Sequence, residues 1–165
     1  MRAVVRKFTY LVLLGTLALS ACKTTLAPAY DQAIVDKVTQ STDATLRFFA
    51  SVSSGVEADG FPVRLPIYNE LIGNFEALEL QARARPVPDN VALEKINEIL
   101  QTKGSGGVSG DYPSAFAFGK IAETFQKMKE TDAETGLSPL VVQAFKGQVL
   151  IFLDQALTYE SFLKR

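Results

Sequence analysis

Residues 138–162 read SPLVVQAFKGQVLIFLDQALTYESF, and this stretch decides the fold class. Serine followed by proline is a favourable helix start, because serine caps the first turn and proline lacks only an N–H that would be unbonded there. Apolar side chains then recur every three or four residues, which is the spacing of one helix face. They are Val142, Phe145, Val149, Phe152, Leu153, Ala156, Tyr159 and Phe162. We predict a long helix that extends almost to the C-terminus. Because it is the most apolar helix, we expect it at the centre of the fold.

The same spacing continues towards the N-terminus, with no strand-like alternation of convincing length and no internal repeat. Proline and glycine divide the helical stretches from one another. The predicted helices run over about 30–53, from Pro66 to Pro86, over about 90–100, and from Pro113 to Gly136. Together with the last helix they predict an all-α fold, an antiparallel bundle of four longer helices plus one short helix. The residues predicted to face inward are, in the second helix, Tyr68, Leu71, Ile72, Phe75, Leu78 and Ala82 and, in the fourth, Phe116, Ile121, Ala122, Phe125 and Met128.

Three features of this bundle stand apart from ordinary packing. The apolar stripe of the first helix is interrupted by the small polar residues Ser41 and Thr45, which could allow close helix approach or leave room for a cavity or water. Residues 60–66, which include Arg64, are predicted to form an ordered connector. Residues 104–110 contain four glycines and are predicted to form a flexible connector rather than a phosphate-binding loop, because the GK[ST] ending is missing.

Composition excludes several classes of function. The 165 residues include 17 basic and 18 acidic side chains, so no basic excess indicates a nucleic-acid partner. There is no histidine and only one cysteine, which excludes histidine-based catalytic triads, histidine-ligated metals, internal disulfides and cysteine clusters. Serines lack a G-x-S-x-G setting, and the one S-x-x-K spacing considered, Ser161 with Lys164, falls at the chain end. We therefore predict no enzyme activity, no cofactor and no metal.

The first 22 residues predict where in the cell the protein is located. Three basic residues within the first seven precede the 13-residue apolar run FTYLVLLGTLALS. That run is shorter than the roughly 20 residues that cross a bilayer and has the length of a secretory signal peptide. It leads into the tetrad Leu19-Ser20-Ala21-Cys22, which resembles the lipobox of bacterial lipoproteins.

The lipobox resemblance implies that residues 1–21 are removed as a signal peptide and that Cys22 is lipidated, with a diacylglyceryl group on its thiol and an acyl chain on its amino group. Lys23 follows in place of aspartate, which resembles the outer-membrane sorting class. Residues 22–29 would then be the lipidated cysteine with a short tether, and residues 30–165 the bundle domain. Residues 22–165 carry 14 basic and 18 acidic side chains, so the acyl chains, not charge, would hold the protein on the membrane.

Two hypotheses for function lead at this point, ahead of a third, an enzyme whose site the sequence does not reveal. The first is a non-enzymatic interaction or scaffold module of the cell envelope, anchored by lipid to the outer membrane and facing the periplasm, with an envelope protein as its partner. The alternative is a carrier of a hydrophobic small molecule or lipid in a cavity between helices. The 11 phenylalanines could line such a cavity, although aromatic residues more often fill a bundle core.

Overall fold

The computed structural model describes residues 27–86 and 112–164. The predicted signal peptide, Cys22, the predicted short helix at about 90–100 and the glycine-rich segment lie outside these residues. The described residues form four long helices and one 3-10 turn, and no strand beyond a single antiparallel bridge. The elements are α1 (Gln32–Ser51), the 3-10 turn (Ala58–Gly60), α2 (Phe61–Arg83), α3 (Pro113–Thr135) and α4 (Pro139–Leu163). The all-α prediction is confirmed, and the four helices pack against one another.

The helix starts follow the local sequence signals. Asp31 caps α1, its side chain accepting a hydrogen bond of 2.9 Å from the Ala33 N–H. Ser138 caps α4 in the same way through the Val141 N–H, at 3.3 Å. Proline is the first residue of both α3 and α4, as predicted. These caps satisfy N–H groups that the first helical turn leaves without partners.

The predicted start of α2 at Pro66 is wrong, and residues 60–66 are not a loop. The helix begins at Phe61, with Pro62 in the first turn, and Pro66 lies inside it. Pro66 has no N–H to donate to the Pro62 carbonyl, so the helix loses one bond there. The turn is held instead by tertiary contacts, because Arg64 binds a buried carboxylate of α3.

The central helix is α3 rather than α4. It packs extensively along both α2 and α4, whereas α1 contacts the same two helices less extensively. Ten residues of α3 are buried, against six of α4. The buried face of α4 is narrow, and the predicted inward position of Phe162 is wrong because this side chain is 56% exposed. Phe116 of α3, also predicted inward, is 48% exposed, and Phe118 is buried in its place. Burial on α4 is limited to the side that meets α1 and α3.

Aromatic side chains fill the centre of the bundle. The ring of Phe125 lies 5.7 Å from Phe49 and 6.2 Å from Phe75, measured between centroids. Phe48 meets Tyr68 edge to face at 4.8 Å. All five side chains are buried. These spacings are those of directly contacting aromatic pairs, so the rings pack against one another.

The turn from α3 to α4 depends on one glycine. Gly136 ends α3 with a φ of +72° and a ψ of −171°, a conformation essentially restricted to glycine. The next residue, Leu137, exchanges two backbone hydrogen bonds of 2.8 Å with Val56, which follows α1. This bridge ties the end of α1 to the start of α4.

Gly136→Ala is expected to destabilise the protein by at least about 1–3 kcal/mol, the cost of a strained backbone conformation. An added Cβ would also meet the Val56 carbonyl oxygen and would lie 2.9 Å from the Ala58 nitrogen. Urea denaturation of the two proteins measures the loss. Gly73→Ala is the matched control, because a Cβ at this exposed position in α2 meets no atom within 4 Å. It should stabilise the helix by roughly 0.5–1 kcal/mol, and a loss at Gly73 as large as that at Gly136 would contradict the argument.

Candidate functional site

Two ion pairs are buried in the described part of the chain, one near each end of α2. Arg64 pairs with Asp132, and Arg85 pairs with Glu160. The two arginines are 21 positions apart along the chain, about 30 Å at the rise of a helix. Buried charges are uncommon unless they are paired, so both pairs are candidates for a functional role.

The pair at the start of α2 has good hydrogen-bond geometry. Arg64 donates from Nε to Oδ2 of Asp132 at 2.8 Å and from Nη2 to Oδ1 at 2.6 Å. Nη2 also donates to the Glu57 carbonyl at 2.8 Å, and the Tyr68 hydroxyl donates to Oδ2 of Asp132 at 3.1 Å. The Asp132 carboxylate of α3 therefore binds two side chains of α2, and Arg64 in turn binds the segment before α2.

The electrostatics of this cluster keep Tyr68 neutral and Arg64 charged. Burial raises the pKa of the Tyr68 phenol, and the neighbouring Asp132 carboxylate raises it further. The hydrogen bond to Asp132 raises the pKa of Arg64. Tyr68 thus stays a neutral donor and Arg64 a cation. Because Arg64 and Tyr68 between them make three hydrogen bonds to the carboxylate, we interpret the cluster as a structural tie.

The hydrogen bonding of the second ion pair, beyond the end of α2, is less complete. Nη2 of Arg85 donates to both carboxylate oxygens of Glu160, at 2.7 and 2.8 Å. Nε and Nη1 of Arg85 are buried and have no hydrogen-bond partner in the part of the chain that the structure describes. Beside them the Tyr112 hydroxyl donates to the Pro86 carbonyl at 2.8 Å, and burial raises the pKa of Tyr112 and of Tyr159. This is a polar region in which some donors are unused.

The polar interruption of α1 lies in the interior, as its position on the apolar stripe predicted. Ser41 and Thr45 are buried, and within the described residues neither hydroxyl has a hydrogen-bond partner. The hydroxyl of Ser114 in α3 is buried and unpartnered as well. Each such group costs about 1–3 kcal/mol when water or another polar atom is missing. These hydroxyls add unpartnered polar groups to the interior, unlike the Tyr68 hydroxyl, which donates to Asp132.

The outer surface of α4 is the most unusual exposed feature. Over its most apolar 18-residue window the mean hydropathy is 1.3, yet only 22% of that window is buried. Leu140 is 76% exposed and Ile151 68% exposed. By length and composition the helix could cross a membrane, a property shared by core helices of soluble proteins. These apolar side chains lie among exposed polar ones such as Lys146 and Gln148, and they are in contact with solvent.

Comparison of the chain with protein-family models, with curated proteins and with solved structures finds no match.

The candidate site residues identified from the sequence do not come together as one site in the described part of the chain. Cys22 lies outside the described residues. Ser161 and Lys164 are exposed at the end of α4. Among the described residues no group of three or more potential metal ligands comes together.

The sequence analysis did not identify the buried ion pairs, although the positions of their two acidic residues indicate burial. Asp132 follows Met128 by four residues and Glu160 follows Ala156 by four, so both occupy apolar-stripe positions. A charged residue on such a stripe indicates a buried partner of opposite charge. Arg85 follows the end of α2 and carries no comparable pattern.

Proposed function

We propose that this protein is a bacterial envelope lipoprotein, anchored through Cys22 at the periplasmic face of the outer membrane, that acts as a non-enzymatic interaction module. The observation that supports the interaction role is the outer surface of α4, where large apolar side chains are exposed to solvent. Exposed apolar surface of this kind marks contact sites for other molecules. The lipobox tetrad at residues 19–22 supports the anchor.

The short tether supports a position close to the membrane. Pro28 is already buried. Five residues, 23–27, then separate the lipidated cysteine from the domain, and a fully extended chain of that length spans about 17 Å. A domain held this close presents its side surfaces to neighbours on the same membrane.

The bundle is proposed to be antiparallel, with the short helix at about 90–100 as its fifth member. The Gly136–Ser138 turn between α3 and α4 contains only three residues, and so short a connection favours antiparallel neighbours. The carrier hypothesis has less support. The buried phenylalanines contact one another, and the grooves lined by described residues are open to solvent.

The anchor is tested by Cys22→Ser in the full-length chain expressed in a bacterial host. The variant should lose incorporation of an alkyne-labelled fatty acid, and it should either leave the membrane fraction or remain as uncleaved precursor, because serine cannot form the thioether. Thr25→Ser, outside the tetrad, is the matched control and should remain labelled and membrane-bound. A Cys22→Ser protein that is mature and stays on membranes in high salt would contradict the proposed anchor.

A further inference from the structure

The exposed face of α4 carries an ordered arrangement of charge around an apolar centre. Leu150 is 38% exposed and the neighbouring Ile151 is more exposed. Lys146 precedes Leu150 by four residues, and Asp154 follows it by four. Residues four apart lie on the same side of a helix, so the face has a cation on one side of Leu150 and an anion on the other.

These two charges do not neutralise each other within one chain. Eight residues of helix separate Lys146 from Asp154 by about 12 Å along the axis. Both side chains are exposed, and neither has an ion-pair partner among the residues that the structure describes. The two charges are equally spaced on either side of Leu150, which is the arrangement expected if a two-fold axis passes through Leu150.

We propose that this face binds a second copy of the same chain, with the two α4 helices antiparallel and the two-fold axis at Leu150. In such an interface residue i of one copy contacts residue j of the other, and j contacts i in return. Lys146 then lies beside Asp154 of the second copy, twice, while Leu150 and Ile151 of both copies cover one another. This inference rests on the proposed function, because it names the partner of the interaction module.

The local shape of α4 permits close approach of a second helix. Gly147 lies one turn before Ile151, and a Cβ at this position would meet no atom within 4 Å. Small residues at a helix contact let two backbones approach closely, which increases their packing. Ala144, one turn earlier, is small and exposed as well.

Charge argues against a lipid surface as the occupant. Helices that lie in a membrane interface are rich in lysine and arginine on their polar side. The outer part of α4 has one lysine balanced by one aspartate, and residues 22–165 carry an excess of acidic side chains. An anionic lipid surface therefore gains no electrostatic attraction from this face.

The first test uses cysteine cross-linking of the full-length chain in cells. In Leu150→Cys the two introduced thiols meet at the axis, so oxidation should give a covalent dimer, identified by mass spectrometry of the peptide joined at position 150. Leu140→Cys is the matched control. It is ten residues from the axis, which puts the two copies of position 140 about 30 Å apart, far beyond disulfide reach. The parent chain, which has only Cys22, sets the background.

The second test reverses the charges in the Leu150→Cys chain. Adding Lys146→Glu should lower the cross-linked yield several-fold, because glutamate then faces Asp154 of the second copy. Adding Asp154→Lys to that variant should restore the yield, because the pairs re-form with their signs exchanged. Both residues are exposed, so the substitutions leave the core of the monomer intact.

Three results would overturn the dimer. They are a Leu150→Cys yield no higher than that of the parent chain, an equal yield from Leu140→Cys, and a charge-swapped variant that fails to recover. A bimane label at position 150 that is quenched by vesicles of brominated phospholipid would assign the face to lipid instead. If cross-linking fails while Cys22→Ser still releases the protein, the lipid anchor stands and only the second copy is excluded as partner.

Discussion

Phe125→Ala is expected to lower the free energy of unfolding by about 3–5 kcal/mol, the usual cost of removing a large buried aromatic side chain. Phe125 is fully buried in α3, and its ring contacts Phe48, Phe49 and Phe75 from two other helices. Its removal leaves a cavity that three rings border. Against a total stability of about 5–15 kcal/mol, the urea midpoint should fall by a large fraction or the protein should fail to accumulate.

Phe116→Ala on the same helix is the matched control. Its ring is 48% exposed and meets Phe152 edge to face, with 6.3 Å between centroids. Because much of the side chain already contacts water, we expect a loss of about 1 kcal/mol or less. Similar midpoints for the two variants would mean that the Phe125 region already contains open space, and would raise the carrier hypothesis above the interaction module.

Asp132→Ala is expected to cost about 3–5 kcal/mol, the range seen when one partner of a buried ion pair is removed. The substitution leaves the Arg64 guanidinium without its carboxylate and the buried Tyr68 hydroxyl without its acceptor. Arg64 can turn partly towards solvent, since 14% of its side chain is exposed, whereas Tyr68 cannot. Chemical denaturation near neutral pH measures the loss.

Two further variants at this end of α3 separate charge from shape. Asp132→Asn keeps one carbonyl acceptor, so its loss should be smaller than that of Asp132→Ala. Glu134→Ala, at an exposed position two residues on, should change stability by no more than about 0.5 kcal/mol. If Asp132→Ala is as mild as Glu134→Ala, the cluster does not hold the start of α2.

The sequence alone predicts the all-α class and most helix bounds. Caps, prolines and glycines act through the local backbone, which is why the starts of α3 and α4 and the end of α3 at Gly136 follow from adjacent residues. Apolar spacing also identifies the buried face of α2, because six predicted inward residues are all buried. They are Tyr68, Leu71, Ile72, Phe75, Leu78 and Ala82. The lipobox prediction likewise depends only on adjacent residues.

Tertiary structure decided what depends on residues far apart in the chain. Pro66 favours a helix start locally, yet α2 begins at Phe61. The turn before Pro66 is stabilised by the hydrogen bonds of Arg64 to the Asp132 carboxylate, 68 positions further along the chain. Composition indicates that α4 is central, but a helix is buried only where neighbours cover it, and α3 takes the central position. Sequence spacing gives the direction in which a side chain projects from its own helix. Which surface it then meets, protein or water, is fixed only when the helices pack.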